Sequence, residues 1–340
     1  MPSSVHDKIQ LLKKATPRRA ANAVKVLGSY YLSKWSGKPK QRGLPLAIAI
    51  EPTTACNLGC PECPSGLKSF SRATGNLKEG FYKKVIDQVY RDTFYLTFYF
   101  QGEPYINPNF LEMVSYASKK NIYTATSTNA HFLNDENAKK TVESGLSRLI
   151  ISIDGTTQET YENYRKGGQL NKVLEGTKNI IKWKKKLKSS TPHVIFQFLV
   201  VKPNEHQIDE VHELAREMGV NEVKLKTAQV YDYKNGNPLI PENDKYSRYR
   251  KQADGTFTIK NALDNNCWKL WHSCVITWDG NVIPCCFDKD ATQQLGKLEE
   301  TTFKKIWQGE AYENFRKQLF QGRDQIEICK NCSEGTKVWA

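Results

Sequence analysis

Residues 46–64 read Leu46-Ala47-Ile48-Ala49-Ile50-Glu51-Pro52-Thr53-Thr54-Ala55-Cys56-Asn57-Leu58-Gly59-Cys60-Pro61-Glu62-Cys63-Pro64. An unbroken apolar run, Leu46–Glu51, fits a buried strand. It opens into a loop with Cys56, Cys60 and Cys63 spaced Cys-x3-Cys-x2-Cys. Three thiols on one tight loop suit three irons of a cubane and leave the fourth iron open, as a catalytic metal site requires. The alternative is a structural zinc site, which needs a fourth ligand. The next His or Cys along the chain is His131, so no local zinc finger closes here.

Outward from this stretch the pattern repeats. β-rich apolar runs fall at 94–100, 122–127, 149–153, 194–201 and 222–226. Amphipathic helical patterns fall at 78–91, 110–119, 135–144, 170–187 and 205–218. Gly145 and Gly219 read as helix stops. Six strand–helix units in a row predict a parallel α/β sheet. Polar clusters sit at the C-terminal strand ends: Gln101-Gly102-Glu103, Ser127-Thr128-Asn129 and Ser152-Ile153-Asp154. A barrel gathers those ends on one face, so the fold expected is a partial (β/α)6 TIM-like barrel over about 46–228. A polar connection, 229–266, and a small cysteine-rich iron–sulfur module, 267–340, follow it. At 340 residues and 39% hydrophobic content, two units with separate cores are expected.

The nine cysteines are odd in number and clustered, three at 56–63 and six at 267–332. With no apolar secretory core near the start and no run of eighteen apolar residues, a cytoplasmic chain without a transmembrane segment is expected. There, clustered cysteines indicate metal rather than disulfides. Of the net charge of +14, nine units come from residues 1–42, where ten Lys and Arg stand against Asp7 alone. This basic arm, 1–45, reads either as a helix with a solvated face packed outside the main domain or as a contact for an anionic surface or nucleic acid.

The segment Glu51–Pro64 resembles the cluster loop of the radical S-adenosylmethionine (SAM) superfamily, and the strand-end clusters match that family in order over about 45–335. The resemblance implies a 4Fe–4S cluster on Cys56, Cys60 and Cys63, with SAM chelating the open iron. It assigns Gln101, Gly102 and Glu103 to the SAM amino group, Ser127 and Asn129 to its ribose or methionyl part, and Ser152 and Arg165 to its carboxylate. Asp154 is counted with the same cofactor-binding set. Glu103 suits an ammonium and Arg165 a carboxylate on charge and shape. Where the family often has an aromatic residue before the third cysteine, this chain has Glu62.

Cys267, twelve residues, Gly280, four residues and Cys285, then Cys329-Lys330-Asn331-Cys332, resemble the SPASM/twitch extension of that family. The resemblance implies one auxiliary 4Fe–4S cluster on Cys267, Cys285, Cys329 and Cys332. A two-residue turn at Asp279-Gly280 sets Cys274 across from Cys285, and makes Cys274 a rival to Cys267. Cys274 and Cys286 are also candidate hydrogen donors to a substrate radical, or buried apolar residues. A four-thiolate zinc site is the alternative for the module. The function expected is oxidation of a small polar metabolite or peptide, with an electron donor such as flavodoxin or ferredoxin. The other readings are an RNA-modifying radical SAM enzyme and a non-catalytic iron–sulfur or zinc protein.

Overall fold

The structure, a computed structural model, describes residues 3–261 and 263–335. Met1, Pro2, Ala262 and residues 336–340 of the expected C-terminal module lie outside the described residues. The strands are β1 (Ala47–Ile50), β2 (Tyr95–Thr97), β3 (Tyr123–Thr128), β4 (Arg148–Ser152), β5 (His193–Val200), β6 (Glu222–Thr227), β7 (Tyr249–Lys251), β8 (Phe257–Ile259), β9 (Ser273–Ile276), β10 (Asn281–Ile283) and β11 (Gly296–Lys297). The helices are α1 (Ser3–Leu12), α2 (Pro17–Ser36), α3 (Pro64–Leu67), α4 (Glu79–Val89), α5 (Phe110–Lys119), α6 (Asp135–Glu143), α7 (Gln158–Tyr164), α8 (Leu170–Lys186), α9 (Ile208–Glu217), α10 (Lys269–His272), α11 (Phe303–Trp307) and α12 (Glu310–Gly322).

Strands β1 to β6 pair in sequential order, all parallel, each joined to the next by a helical crossover. This is the expected partial barrel. β1 and β6 do not pair, and the outer edge of β1 is taken by β9, which runs parallel to it with Ile48 opposite Cys274. β10 and β11 continue the sheet antiparallel. The cysteine-rich segment therefore extends the barrel sheet. Its Trp271, Trp307 and Phe315 share one apolar core with Ile48, Phe98 and Val114 of the barrel. The expectation of two separate cores is corrected: an edge strand with unpaired backbone groups is a template, and β9 satisfies it.

The connection 229–266 is also more ordered than its polar composition suggests. It carries the β7–β8 hairpin, and Val230, Leu239, Ile240 and Tyr249 pack on Leu58, Cys60 and Tyr164. It thus forms an apolar cover over the first cysteine loop.

The basic arm folds as α1 and α2. Thr16 caps α2 by accepting the Arg19 N–H, Pro17 opens the helix and Gly37, at φ 63°, closes it. Asp7 on α1 is buried at the N-terminal end of the barrel, where it accepts hydrogen bonds from the Tyr123 hydroxyl and the Arg148 guanidinium. The Tyr95 and Tyr123 rings stack at 5.1 Å, and Arg148 lies over both. Arg19 donates to the carbonyls of Lys14, Tyr90 and Asn121 at 2.6 Å each. Tyr30 packs edge-on to Trp268 and Trp271. Among the described residues no helix is long and apolar enough to cross a membrane.

Candidate active site

Cys56, Cys60 and Cys63 line a cleft of about 230 Å³ at the C-terminal ends of the barrel strands. Their loop is pinned by Gly59 N–H donating to Lys166 O at 2.9 Å and by the start of α3 directly after Cys63. Burial pushes the Cys56 thiol up to about 11 and raises Cys60 as well, the latter opposed by Arg165. Such thiols lose their protons to a bound metal rather than to solvent. Among the described residues no three His, Cys, Asp or Glu side chains converge closely enough to hold a single metal ion. The three thiols stand around a shared space, which suits a larger polynuclear group.

The strand-end residues converge on the same cleft. Gly102, Glu103, Ser127, Asn129, Ser152 and Arg165 all line it. Gly102 has φ +73°, and a Cβ there would lie 2.5 Å from Thr53 O, so the tight passage past the cysteine loop requires glycine. Its N–H donates to Ser65 Oγ at 2.9 Å. Gln101 Oε1 lies 3.9 Å from Cys63 Sγ.

Glu103 is buried, which raises its carboxyl to about 7 against three donors. Oε1 accepts from the Thr128 hydroxyl at 2.7 Å and Tyr105 N–H at 3.3 Å; Oε2 accepts from Asn129 N–H at 2.8 Å. Asn129 Nδ2 donates to Asn57 Oδ1 at 2.8 Å, joining strand three to the cysteine loop.

Asp154 does not line the cleft. Its Oδ2 accepts from Arg165 Nε at 2.5 Å, and its Oδ1 from Leu199 N–H at 2.7 Å. Both oxygens are occupied in a fully buried setting, so Asp154 orients Arg165 rather than reaching a ligand itself. Arg165 Nη1 then lies 3.7 Å from Cys60 Sγ, and its free edge faces the cleft.

In the second cysteine group, Cys329 and Cys332 sit on one short turn, and Arg323 Nη2 donates to Cys332 Sγ at 3.3 Å. Cys267 and Cys329 lie close enough to Cys285 to raise its thiol electrostatically, after burial, the largest cause, and Cys286. Burial pushes Cys329 up to about 11, opposed by Arg323. A Cβ on Gly335 would meet Cys267 Sγ at 2.3 Å, so the chain after Cys332 folds back over Cys267.

The hairpin turn corrects the expected register. Thr277 and Asn281 close a three-residue loop, Trp278-Asp279-Gly280, with Gly280 at φ +87°. Val282 opposes Ile276 and Ile283 opposes Val275. Compared with a two-residue turn, the one added loop residue exchanges the faces, so Ile283 pairs with Val275 and not with Ile276. Cys274 is 2% exposed, packs in the main core and bonds to Tyr312. It also lines the cavity that Cys285 and Cys286 line. This second cavity, of about 280 Å³, is lined by Lys269, Tyr99 and Phe100 as well.

Several residues of the site gave no sequence signal of their own. Tyr99 and Phe100 line both cavities, and Gln197 lines the first from the middle of β5. A polar residue inside the apolar run Val194–Val201 was the available sign for Gln197. Glu62 Oε2 accepts Tyr231 N–H at 2.9 Å, so the residue before the third cysteine ties the covering segment to the loop.

Comparison with known proteins agrees with this geometry. Residues 50–215 match the radical SAM superfamily, and residues 267–333 match an iron–sulfur cluster-binding domain of the SPASM type. The chain is 23% identical over 315 residues to a PqqA peptide cyclase of Gluconobacter oxydans, covering 87% of this chain and 84% of the relative. Streptococcus suis SuiB bound to S-adenosylmethionine superposes with a TM-score of 0.63 at 14% identity, over 91% of this chain and 76% of that one. BtrN in complex with AdoMet and 2-DOIA gives 0.55 at 18% identity, over 88% and 96%. With three cysteines around an open cleft, and a cysteine-rich segment joined to the same sheet, this chain belongs to the radical SAM enzymes with a SPASM domain, which bind a 4Fe–4S cluster, SAM and auxiliary iron–sulfur.

Proposed function

We propose that this enzyme removes a hydrogen atom from a small polar metabolite or a peptide, with one auxiliary 4Fe–4S cluster, when bound, assisting the oxidation. The observation that carries the reading is the joint lining of two cavities by Tyr99 and Phe100, one over Cys56, Cys60 and Cys63 and one beside Cys285. When bound, the reduced cluster supplies the electron that splits SAM into methionine and a 5′-deoxyadenosyl radical.

The chain's own residues bind and orient. Cys56, Cys60 and Cys63 would hold the first cluster, and Cys267, Cys285, Cys329 and Cys332 the auxiliary one. Glu103 would take the SAM ammonium and Arg165, steered by Asp154, its carboxylate. Ser127, Asn129 and Ser152 add hydrogen-bonding groups on the same wall, and the β7–β8 segment excludes water from above. Cys274 and Cys286, which line the cavity beside Lys269, are the candidate hydrogen donors. The name of the relative PqqA peptide cyclase supports a peptide substrate, and that of BtrN, bound to 2-DOIA, supports a small one. The unpaired thiols suit the reducing cytoplasm, with flavodoxin or ferredoxin as electron donor. An RNA substrate is disfavoured because the basic arm lies at the strand ends opposite the cleft.

The test is anaerobic. Reconstituted protein with SAM and dithionite is expected to form 5′-deoxyadenosine and to hold about eight irons per chain, four at each site. Cys56→Ala, Cys60→Ala or Cys63→Ala should abolish SAM cleavage while about four irons remain. Zinc in both sites, or SAM left intact by fully loaded and reduced protein, would overturn the reading.

A further inference from the structure

The inward face of α2 is fully employed. Arg19, Asn22, Val26, Ser29, Tyr30 and Ser33 are buried against the barrel and the cysteine-rich segment. This fixes which face looks outward. Positions 21, 24, 28, 31 and 35, spaced by threes and fours, form one exposed stripe, with position 32 exposed at its side. They are Ala21, Val24, Gly28, Tyr31, Leu32 and Trp35. Val24 is 71% exposed, Tyr31 52%, Leu32 44% and Trp35 87%. A surface helix ordinarily turns its polar side outward; α2 turns out a stripe of apolar and aromatic side chains.

Charge surrounds the stripe with one sign. No acidic residue occurs between Asp7 and Glu51, whereas ten Lys and Arg do. Lys25, Lys34 and Lys38 are exposed beside the apolar positions. Two copies of the chain meeting through this face would set these lysines against their own counterparts, which opposes a symmetric dimer. The surface is one side of a 20-residue helix about 30 Å long. An apolar stripe, an interfacial tryptophan and flanking lysines are what a helix lying in the plane of an anionic bilayer presents.

We propose that α2 docks the enzyme peripherally on an anionic membrane surface, with Trp35, Leu32 and Val24 in the headgroup region and the lysines on acidic lipid headgroups. Arg19 ties α2 to the loops leading into β2 and β3, at the end of the sheet opposite the cleft. A docked bilayer therefore leaves the active-site mouth open to the aqueous side.

The experiment is flotation of the full reconstituted protein with phosphatidylcholine vesicles, with and without phosphatidylglycerol. At low salt, binding should be at least about tenfold stronger with the anionic lipid and should weaken as salt rises. Leu32→Ser with Trp35→Ser should reduce binding about tenfold or more while leaving the melting temperature and SAM cleavage unchanged, because both side chains point outward. Lys25→Glu with Lys34→Glu should remove the preference for anionic lipid. No flotation at low salt overturns the proposal, as does flotation that the serine pair leaves intact. A lipid-free dimer that the serine pair dissociates overturns it and assigns the stripe to a second copy. Retention on an immobilised acidic ferredoxin, lost in the serine pair and unaccompanied by vesicle binding, overturns it in favour of an acidic protein.

Discussion

Arg72 closes on Glu51 with both terminal guanidinium nitrogens, Nη1 to Oε2 at 2.7 Å and Nη2 to Oε1 at 2.6 Å, where the Glu51 side chain is wholly buried. Trp278 N–H also donates to Glu51 Oε2 at 3.2 Å, and Arg72 reaches Lys289 O at 3.2 Å. Arg72 packs against Phe70 and Phe100 as well. One buried pair thereby joins the end of β1, the segment after the first cysteine loop and the hairpin of the SPASM domain.

Arg72→Ala should leave a buried carboxylate without its partner and cost about 3–5 kcal/mol. Urea denaturation measures this. The double change Glu51→Gln, Arg72→Gln should cost less than Arg72→Ala alone, since no charge is then stranded. Equal losses would mean that the pair is not coupled.

Glu103 governs a pH dependence. Its carboxyl, raised by burial to about 7 from 4.5, holds a proton in the folded, SAM-free chain that the unfolded chain has already lost. Its contribution to stability is therefore present below the ordinary value and lost as pH rises through about 7. A bound ammonium favours the charged form, so SAM affinity should rise with pH, by up to about tenfold per unit below about pH 7. Calorimetric titration of SAM into wild type and Glu103→Gln tests both signs. The variant should bind weakly and show a flatter pH profile; a wild-type profile that falls with rising pH would contradict the assignment.

The register of the β9–β10 hairpin separates two cysteines. Cys285→Ser should remove about four irons per chain and leave SAM cleavage by the first cluster measurable. Cys274→Ala should retain all the iron and lose about 1–2 kcal/mol of stability, as truncation of a small core side chain does. Iron loss in Cys274→Ala, with none in Cys267→Ser, would restore Cys274 as the ligand.

Asp7 plugs the barrel from α1. Asp7→Ala leaves the Arg148 guanidinium without its carboxylate at the barrel floor and should cost about 3 kcal/mol, seen as a fall in melting temperature. SAM cleavage per folded molecule should not change, because the cleft lies at the other strand ends. A wild-type melting curve for the variant would show that α1 adds nothing to the barrel.

The sheet and the first cysteine loop were legible early because their signals are local. Apolar runs such as Val194–Val201 alternate with amphipathic helices, and three cysteines within eight positions share one loop in any fold that forms it. The polar strand ends were legible for a topological reason: parallel strands joined by helices must bring Glu103, Asn129 and Ser152 to one face, whereas Arg165, at the end of α7, was pointed to by the resemblance alone. α7 and α12 carried weaker signals. Short α7 is announced mainly by Thr157, whose side chain accepts the Thr160 N–H, and α12 by two glutamates in its first turn.

The sequence by itself determined the six-unit parallel barrel, the cysteine loop that opens it and the approximate set of groups around the cleft, since each follows from spacing along a few residues or from strand direction. Only the tertiary structure decided that β9 adds to β1, that Asp154 orients Arg165 instead of touching the cleft, that Ile283 pairs with Val275 rather than Ile276, and that Asp7 closes the barrel floor. Each of these rests on a contact between distant segments or on a one-residue change of loop length. Neither is written in a local pattern, and both are settled when edge strands, buried charges and close-packed side chains find the single arrangement that satisfies them together.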